Sequence, residues 1–281
     1  MAGLYVKDDD TWYLPKSIWV KSGTWRVCSN VYVKSGGAWK ELIKTVDITS
    51  SKANLNLYEY LGSPSEPLSV VVNISSSVEI FSNDTSGNRT NAFTVGNFPT
   101  GSTVVINNNG YISGGGGFGG TPEYRYGNGY YLHSNGTNGG DGLVKGSSNN
   151  FDCTIVNTGT IAGGGGGGAG GQVRYVCPPV PPNIYDDGCR DVNGNTGGQG
   201  AGITGASRTQ GGSPMTFNPN PYDTNPPTPN TDTGGFGGAL GEAGQGNGQT
   251  GSKARTGGAG GKAIGSGIEI AVSGTIIGAV G

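Results

Sequence analysis

Ile112-Ser113-Gly114-Gly115-Gly116-Gly117 closes a longer stretch, Thr103-Val104-Val105-Ile106-Asn107-Asn108-Asn109-Gly110-Tyr111. An apolar strand, a turn carrying Gly110, and a short Tyr-Ile-Ser arm run straight into a glycine string. Similar stretches follow at Thr154-Ile155-Val156-Asn157-Thr158-Gly159-Thr160-Ile161-Ala162-Gly163 and at Ile268-Glu269-Ile270-Ala271-Val272-Ser273-Gly274-Thr275-Ile276-Ile277-Gly278. Each is a β-type apolar run, a glycine turn, then X-Ile-X-Gly. The first two feed glycine strings at Gly114 to Gly117 and Gly163 to Gly168.

A glycine string by itself reads as a floppy linker, because glycine loses the most entropy on ordering and buries no side chain. Collagen is excluded, since glycine does not fall strictly at every third position. The remaining ordered form is a bundle of polyproline-II-like rods, with three residues per turn and no internal hydrogen bonds. Its backbone groups point outward, so neighbouring rods can bond to one another, and only glycine lets backbones approach on all sides. The repeated strands that launch the strings favour the packed bundle over disorder. Candidate rods lie at 113–120, 162–171, 197–206, 233–241 and 256–267.

Composition divides the chain. Of its 58 glycines, seven fall in residues 1–100 and 51 after them, which sets a boundary near residue 101. Apolar residues make up 33% and charged residues 13%, so a core of ordinary size belongs to the front part. The net charge of −2 and the absence of a basic run argue against nucleic acid as a partner. No apolar span reaches 18 residues and the first residues lack a signal-peptide pattern, so neither membrane insertion nor export is expected.

Before residue 46 a second repeat appears. Tyr5-Val6-Lys7 leads to Trp12, Trp19-Val20-Lys21 to Trp25, and Tyr32-Val33-Lys34 to Trp39, each across a polar or glycine turn. These read as three β-hairpins. Trp12, Trp19, Trp25, Tyr32 and Trp39 form either a small aromatic core or a docking element for a threefold fibre end. Residues 47–100 form a connecting β-rich stretch, with strands at Leu68 to Ile74, Val78 to Phe81 and Ala92 to Val95. The expected domains are therefore 1–46, 47–100 and 101–281.

Between the rods the composition changes. Residues 121–137 carry Tyr124, Arg125, Tyr126, Tyr130, Tyr131 and His133; residues 172–192 carry Arg174, Tyr175, Tyr185 and Arg190; residues 207–232 carry Met215, Phe217 and Tyr222. Tyrosine and arginine give large contact area with a polar end, and the prolines among them lower loop entropy. Such segments are either receptor-binding loops or a cover for the rods.

Catalysis finds little support. His133 is the sole histidine and no Ser/His/Asp set has spacing logic. Glu123, Asp141, Asp152, Asp186 and Asp187 could supply a carboxylate pair, but nothing in their spacing selects one. Asp8-Asp9-Asp10 reads as a solvated turn, and chance GxGxxG matches lack the context of a dinucleotide site. Neither cofactor nor metal is expected. Cys28, Cys153, Cys177 and Cys189 have no zinc spacing; Cys177 and Cys189 form a disulfide or stay reduced with the others.

The aromatic front, the strand entering Asn-X-Gly-X-Ile-Ser-Gly-Gly-Gly-Gly, and the loops between glycine motifs together resemble the tail-fibre tip adhesins of T-even-type bacteriophages. The resemblance covers about 101–281 and rests most on Ile112 to Gly117 and Ile161 to Gly166. It implies an all-β and irregular fold: an N-terminal β-hairpin attachment region, then a polyglycine-II sandwich displaying loops. It implies a non-enzymatic subunit at the virion's tail-fibre tip, made in the host cytoplasm. Its partners would be a trimeric fibre shaft and a host outer-membrane protein or surface glycan. The Val-Lys-Ser-Gly-X-Trp hairpins depart from that pattern and look like short modules of assorted phage structural proteins. A structural tail subunit and a glycine-rich ice-binding bundle remain as alternatives, with a surface-glycan hydrolase more distant.

Overall fold

A computed structural model describes residues 6–8, 11–13, 19–22, 24–27, 30–35, 38–83, 90–121, 124–126, 129–131, 134–147, 150–170, 174–176, 190–192, 202–204, 207–209, 235–246 and 255–281. Before residue 43, and within 122–133 and 171–234, the description is of backbone pairing alone.

The described chain is strand-dominated, with one short helical turn at Leu57–Tyr60. Three parallel sheets share the core. The first stacks Glu269–Val272, Asp152–Asn157, Thr103–Asn108, Ser69–Ile74 and Ala38–Ile48, with Asn30–Ser35 added antiparallel at its edge. The second stacks Thr275–Ile277, Thr160–Ala162, Tyr111–Ser113, Glu79–Phe81 and Lys52–Ala53. The third stacks Leu143–Val144, Phe93–Thr94 and Leu55–Asn56, extended by parallel bridges from Leu143 to Ile264 and from Ile264 to Val280.

Chain order through these sheets is cyclic. The backbone visits the first, second and third sheet, then returns one rung along: 43–56, 69–94, 103–144, 152–264 and 269–280. The described core is thus a three-faced parallel coil of five turns. Parallel strands need such crossovers, and both faces of each strand then alternate. Thr103–Asn108 shows the alternation, with every second residue buried.

Register turns this alternation into columns. Val46, Val72, Ile106 and Ile155 stack on the first face, Ile80, Ile112, Ile161 and Ile276 on the second, and Leu55, Phe93, Leu143 and Ile264 on the third. Apart from Ile276, all of these are buried in one continuous cluster. Asn108 and Asn157, fully buried, extend the first face: Asn108 Nδ2 donates to Asn157 Oδ1 at 2.8 Å, and Asn108 Oδ1 accepts from Gly110 N–H at 3.1 Å. Buried amides are tolerated here because they bond to one another and to the turn backbone.

The strand–Gly–X-Ile repeat thereby acquires a meaning. It is the corner between the first and second faces on three successive turns, and Gly110, Gly159 and Gly274 stack there. The earlier turn through Ser69–Ile74 and Glu79–Phe81 is the same corner without the glycine, crossed by residues 75–78.

The expected front boundaries fall inside continuous elements. Ala38–Ile48 runs through residue 46, and all three sheets join strands from both sides of residue 100. Three antiparallel pairs lie where the aromatic–Val–Lys repeats are: Val6–Asp8 with Thr11–Tyr13, Trp19–Ser22 with Thr24–Val27, and Asn30–Ser35 with Ala38–Ile48. Lys7 stands opposite Trp12, Lys21 opposite Trp25, and Lys34 opposite Trp39.

Candidate functional site: the far end of the glycine rods

Two turns of the coil are interrupted at the corner between the second and third faces. From Ser113 the chain leaves along 114–121 and returns along 134–142 to Leu143. From Ala162 it leaves along 162–170, and comes back by way of 235–241, 242–246 and 255–263 to Ile264. These rods are extended segments outside the sheets, and they bond to one another at every third residue.

The bonding is regular. Gly114, Gly117 and Gly120 N–H donate to the carbonyls of Ala162, Gly165 and Gly168 at 2.7–3.0 Å, so these two rods run parallel. Gly164, Gly167 and Gly170 N–H donate to Gly140, Thr137 and Ser134, so the return rod is antiparallel. Gly235, Gly238 and Gly241 donate to Ala169, Gly166 and Gly163, while Gly166 and Ala169 donate to Glu242 and Gln245. Gly258 and Gly261 donate to Gly167 and Gly164. Rod 162–170 is therefore the centre, bonded to five neighbours. Close packing makes glycine obligatory there: a Cβ on Gly164, Gly167 or Gly170 would sit 1.9, 1.8 or 2.0 Å from the carbonyl oxygen of Gly115, Phe118 or Thr121.

The return rod 134–142 was not legible as a rod from its glycines alone, since Asn, Thr and Asp break its string. Its three residue positions per repeat do different work. Ser134, Thr137 and Gly140 bond to the two flanking glycine rods. Gly136, Gly139 and Gly142 press on rod 162–170 and donate N–H to the carbonyls of Thr256, Ala259 and Lys262. Asn135, Asn138 and Asp141 turn their Oδ1 atoms to the N–H groups of the same three residues, at 3.0, 2.9 and 2.6 Å. The Asn/Asp-Gly-X triplet was the missed signal. Residues 134–137, expected in a loop, belong to this rod. Part of the rod expected at 197–206 is instead a strand, Gly202–Thr204 paired with Ser207–Thr209; its other residues lie outside the described ones.

Alternating rod directions send every interruption to one end. Thr121 and Ser134, Gly170 and Gly235, Gly246 and Arg255 all stand at the end far from the coil, and segments 122–133, 171–234 and 247–254 leave and re-enter there. The first exit is clasped: Ser134 N–H donates to Thr121 O at 3.1 Å, Thr121 N–H donates to Ser134 Oγ at 2.9 Å, and the two hydroxyls meet at 3.0 Å.

The expected binding residues all fall in the first two segments. Tyr124–Tyr126 pairs antiparallel with Gly129–Tyr131, with Tyr124 in register with Tyr131 and Arg125 with Tyr130. Arg174–Val176 pairs antiparallel with Arg190–Val192, with Tyr175 in register with Asp191 and Val176 with Arg190. Strand Tyr124–Tyr126 lies beside strand Arg190–Val192, which brings the two segments together. His133, Tyr185, Met215, Phe217 and Tyr222 lie outside the described residues, as do Cys28, Cys177 and Cys189.

No group of three or more His, Cys, Asp and Glu able to hold a metal occurs among the described residues, and none of their helices is long and apolar enough to cross a membrane. Asp141 is engaged with Lys262 N–H. Cys153 is a buried free thiol whose pKa burial pushes up to about 12, against a smaller opposing effect of Lys145.

Residues 43–281 match the family described as phage tail fibre adhesin Gp38. The chain belongs to that family. This adhesin is thus a tail-fibre component of a bacteriophage virion. The chain is similar to one in the crystal structure of the gp37–gp38 adhesin tip complex of the bacteriophage S16 long tail fiber. The TM-score is 0.49 and the identity 22%, over 86% of this chain and 83% of that one. No curated protein matches the adhesin.

Proposed function

We propose that this adhesin recognises a host outer-membrane protein or surface glycan through segments 122–133 and 171–234, held at the far end of a rigid rod bundle. One observation carries the reading: the three segments inserted between rods, 122–133, 171–234 and 247–254, all join them at that end, while the break beside the coil, between 235–241 and 242–246, is only a tight turn closed by Glu242 N–H to Ala239 O at 3.0 Å. Tyr124, Arg125, Tyr126, Tyr130, Tyr131, His133, Arg174, Tyr175, Tyr185, Arg190, Met215, Phe217 and Tyr222 are the contact residues of this proposal. Rigid aromatic contacts on a fixed base lose little entropy on binding. The activity is binding, with no catalytic step and no cofactor.

In this reading the rods are polyglycine-II helices. The three-residue bonding period, with bonds to neighbours and none within a rod, is what that helix requires. At about 3.1 Å per residue, a rod of eight residues holds the segments about 25 Å from the coil. Residues 101–281 carry the receptor contacts on a coil whose sheets they share with 47–100, and 1–46 attaches to a trimeric fibre shaft or other tail protein through Trp12, Trp19, Trp25, Tyr32 and Trp39. The like Lys–Trp register of the three hairpins supports equivalent roles for them. The adhesin is made in the host cytoplasm and carried at the fibre tip.

Exchanging segments 122–133 and 171–234 for those of a relative with a different host tests the reading. Host range should follow the exchanged segments. If it stays with the coil and rods, the segments face other virion subunits and the proposal fails. For attachment, Trp12→Ala, Trp25→Ala and Trp39→Ala together should abolish incorporation into virions. Normal incorporation of the folded variant contradicts it.

A further inference from the structure

Rods of pure glycine have no preferred register. A slip of three residues restores the same outward N–H and C=O groups against the same neighbours; the bridge from Leu143 to Ile264 pins the coil ends of rods 134–142 and 255–263, so what is left to fix is where their far ends stand. Rod 134–142 carries side chains that can do this. Asn135, Asn138 and Asp141 each accept from one N–H of the neighbouring rod, and the residue after each donates back to the carbonyl of that same partner. Thr256, Ala259 and Lys262 are thus each clamped at two points, three residues apart. A slip of three breaks one clamp, and a slip of one residue breaks all of them.

We propose that Asn135, Asn138 and Asp141 are positioning residues for receptor binding: a side-chain ladder that sets the register of rod 255–262 against rod 134–142, and with it the stance of the binding segments at the far end. The inference rests on the reading of segments 122–133 and 171–234 as the receptor surface. Asn135 is the outermost rung, one residue from the Thr121–Ser134 clasp that closes segment 122–133. Its partner Thr256 is the second residue of the rod that follows segment 247–254. The ladder is therefore the side-chain link between two of the three openings. Asp141 shows that a carboxylate fills the same position, so acceptor geometry is the requirement and an amide is not.

The experiment uses the full chain with three variants: Asn135→Leu/Asn138→Leu, Asn135→Asp/Asn138→Asp, and a deletion of 122–133. Amide hydrogen exchange reads the rods, and equilibrium binding to host cells reads the surface. In the Leu variant, Thr256 and Ala259 amides should exchange about five- to tenfold faster, the loss of one hydrogen bond each, while Gly164 and Gly167 stay protected. Host binding should weaken at least tenfold, and the Asp variant should restore both readouts. Unchanged exchange at Thr256 and Ala259 overturns the ladder. Faster exchange with unchanged binding, in a protein whose 122–133 deletion does lose binding, overturns its positioning role. Equal binding by the 122–133 deletion places the failure in the receptor-surface reading instead. If the Leu variant exchanges globally, a Leu substitution at Asn138 alone carries the test, with Ala259 as its reporter.

Discussion

Gly159 sits on Gly110: a Cβ added to Gly159 would lie 2.1 Å from the Gly110 carbonyl oxygen. This contact is where the repeated motif earns its glycine. Successive turns of the coil pass the same corner at rung spacing, and the corner backbone has no room for a side chain. Gly159→Ala should cost about 3 kcal/mol, since backbone on the neighbouring turn must move. Gly62 provides the contrast. It has a positive φ of 77° with nothing within 4 Å of its Cβ position, so Gly62→Ala should cost only about 1 kcal/mol. Urea unfolding of the two variants checks the order.

The buried amide pair makes a second prediction. Asn157→Leu removes the acceptor 2.8 Å from Asn108 Nδ2 inside a fully buried column. Losing that bond, with only the longer one to Thr160 O at 3.5 Å left to Asn108 Nδ2, should cost about 2 kcal/mol, more than removing the half-buried Asn73, which donates to Asp47 and accepts from Asn107 on the outer face. Comparing the unfolding midpoints of Asn157→Leu and Asn73→Leu separates the two.

Phe93 lies fully buried in the third-face column between Leu55 and Leu143. Phe93→Ala should destabilise by about 4 kcal/mol, because a column of stacked side chains cannot close the gap without breaking strand register. Thermal unfolding reads this directly.

Cys153 predicts a pH dependence. Burial raises its thiol from 9.0 in the unfolded chain to about 12 in the fold, so the fold favours the neutral form. The stabilisation is complete below pH 9 and is lost as pH rises from there toward 12. Stability should therefore fall across that interval less steeply in Cys153→Ala than in the parent chain. Below pH 9, Cys153 should resist alkylation until the protein unfolds. Rapid labelling of the folded protein at pH 8 contradicts this.

How much of this was legible in the sequence depended on how far apart the partners lie. The corner repeat at 103–114, 154–163 and 268–278 was visible because Gly110, Gly159 and Gly274 mark it. The equivalent passes through Ser69–Ile74 and Ala38–Ile48 carry no glycine at the corner and read as ordinary strands. The coil itself was not legible. Several of its strands are two residues long, such as Lys52–Ala53 and Leu55–Asn56, too short for any periodicity. Their partners are one full turn away in sequence, as Phe93 is from Leu143. Rod 134–142 was hidden by its own rungs: Asn135-Gly136-Thr137 reads as a polar turn until Asn138 and Asp141 are seen to continue it at the same spacing. The aromatic segments stand out by composition, and that they leave the rods at one end required the alternating rod directions.

The central claim is that receptor recognition sits in the segments at the far rod end. Its most direct measurement is binding of purified adhesin to host cells after 122–133 and 171–234 are each replaced by a short turn. Those turns would close between Thr121 and Ser134 and between Gly170 and Gly235. The account predicts a folded protein, with the coil and rod amides still protected, that no longer binds. Undiminished binding by that protein would contradict it.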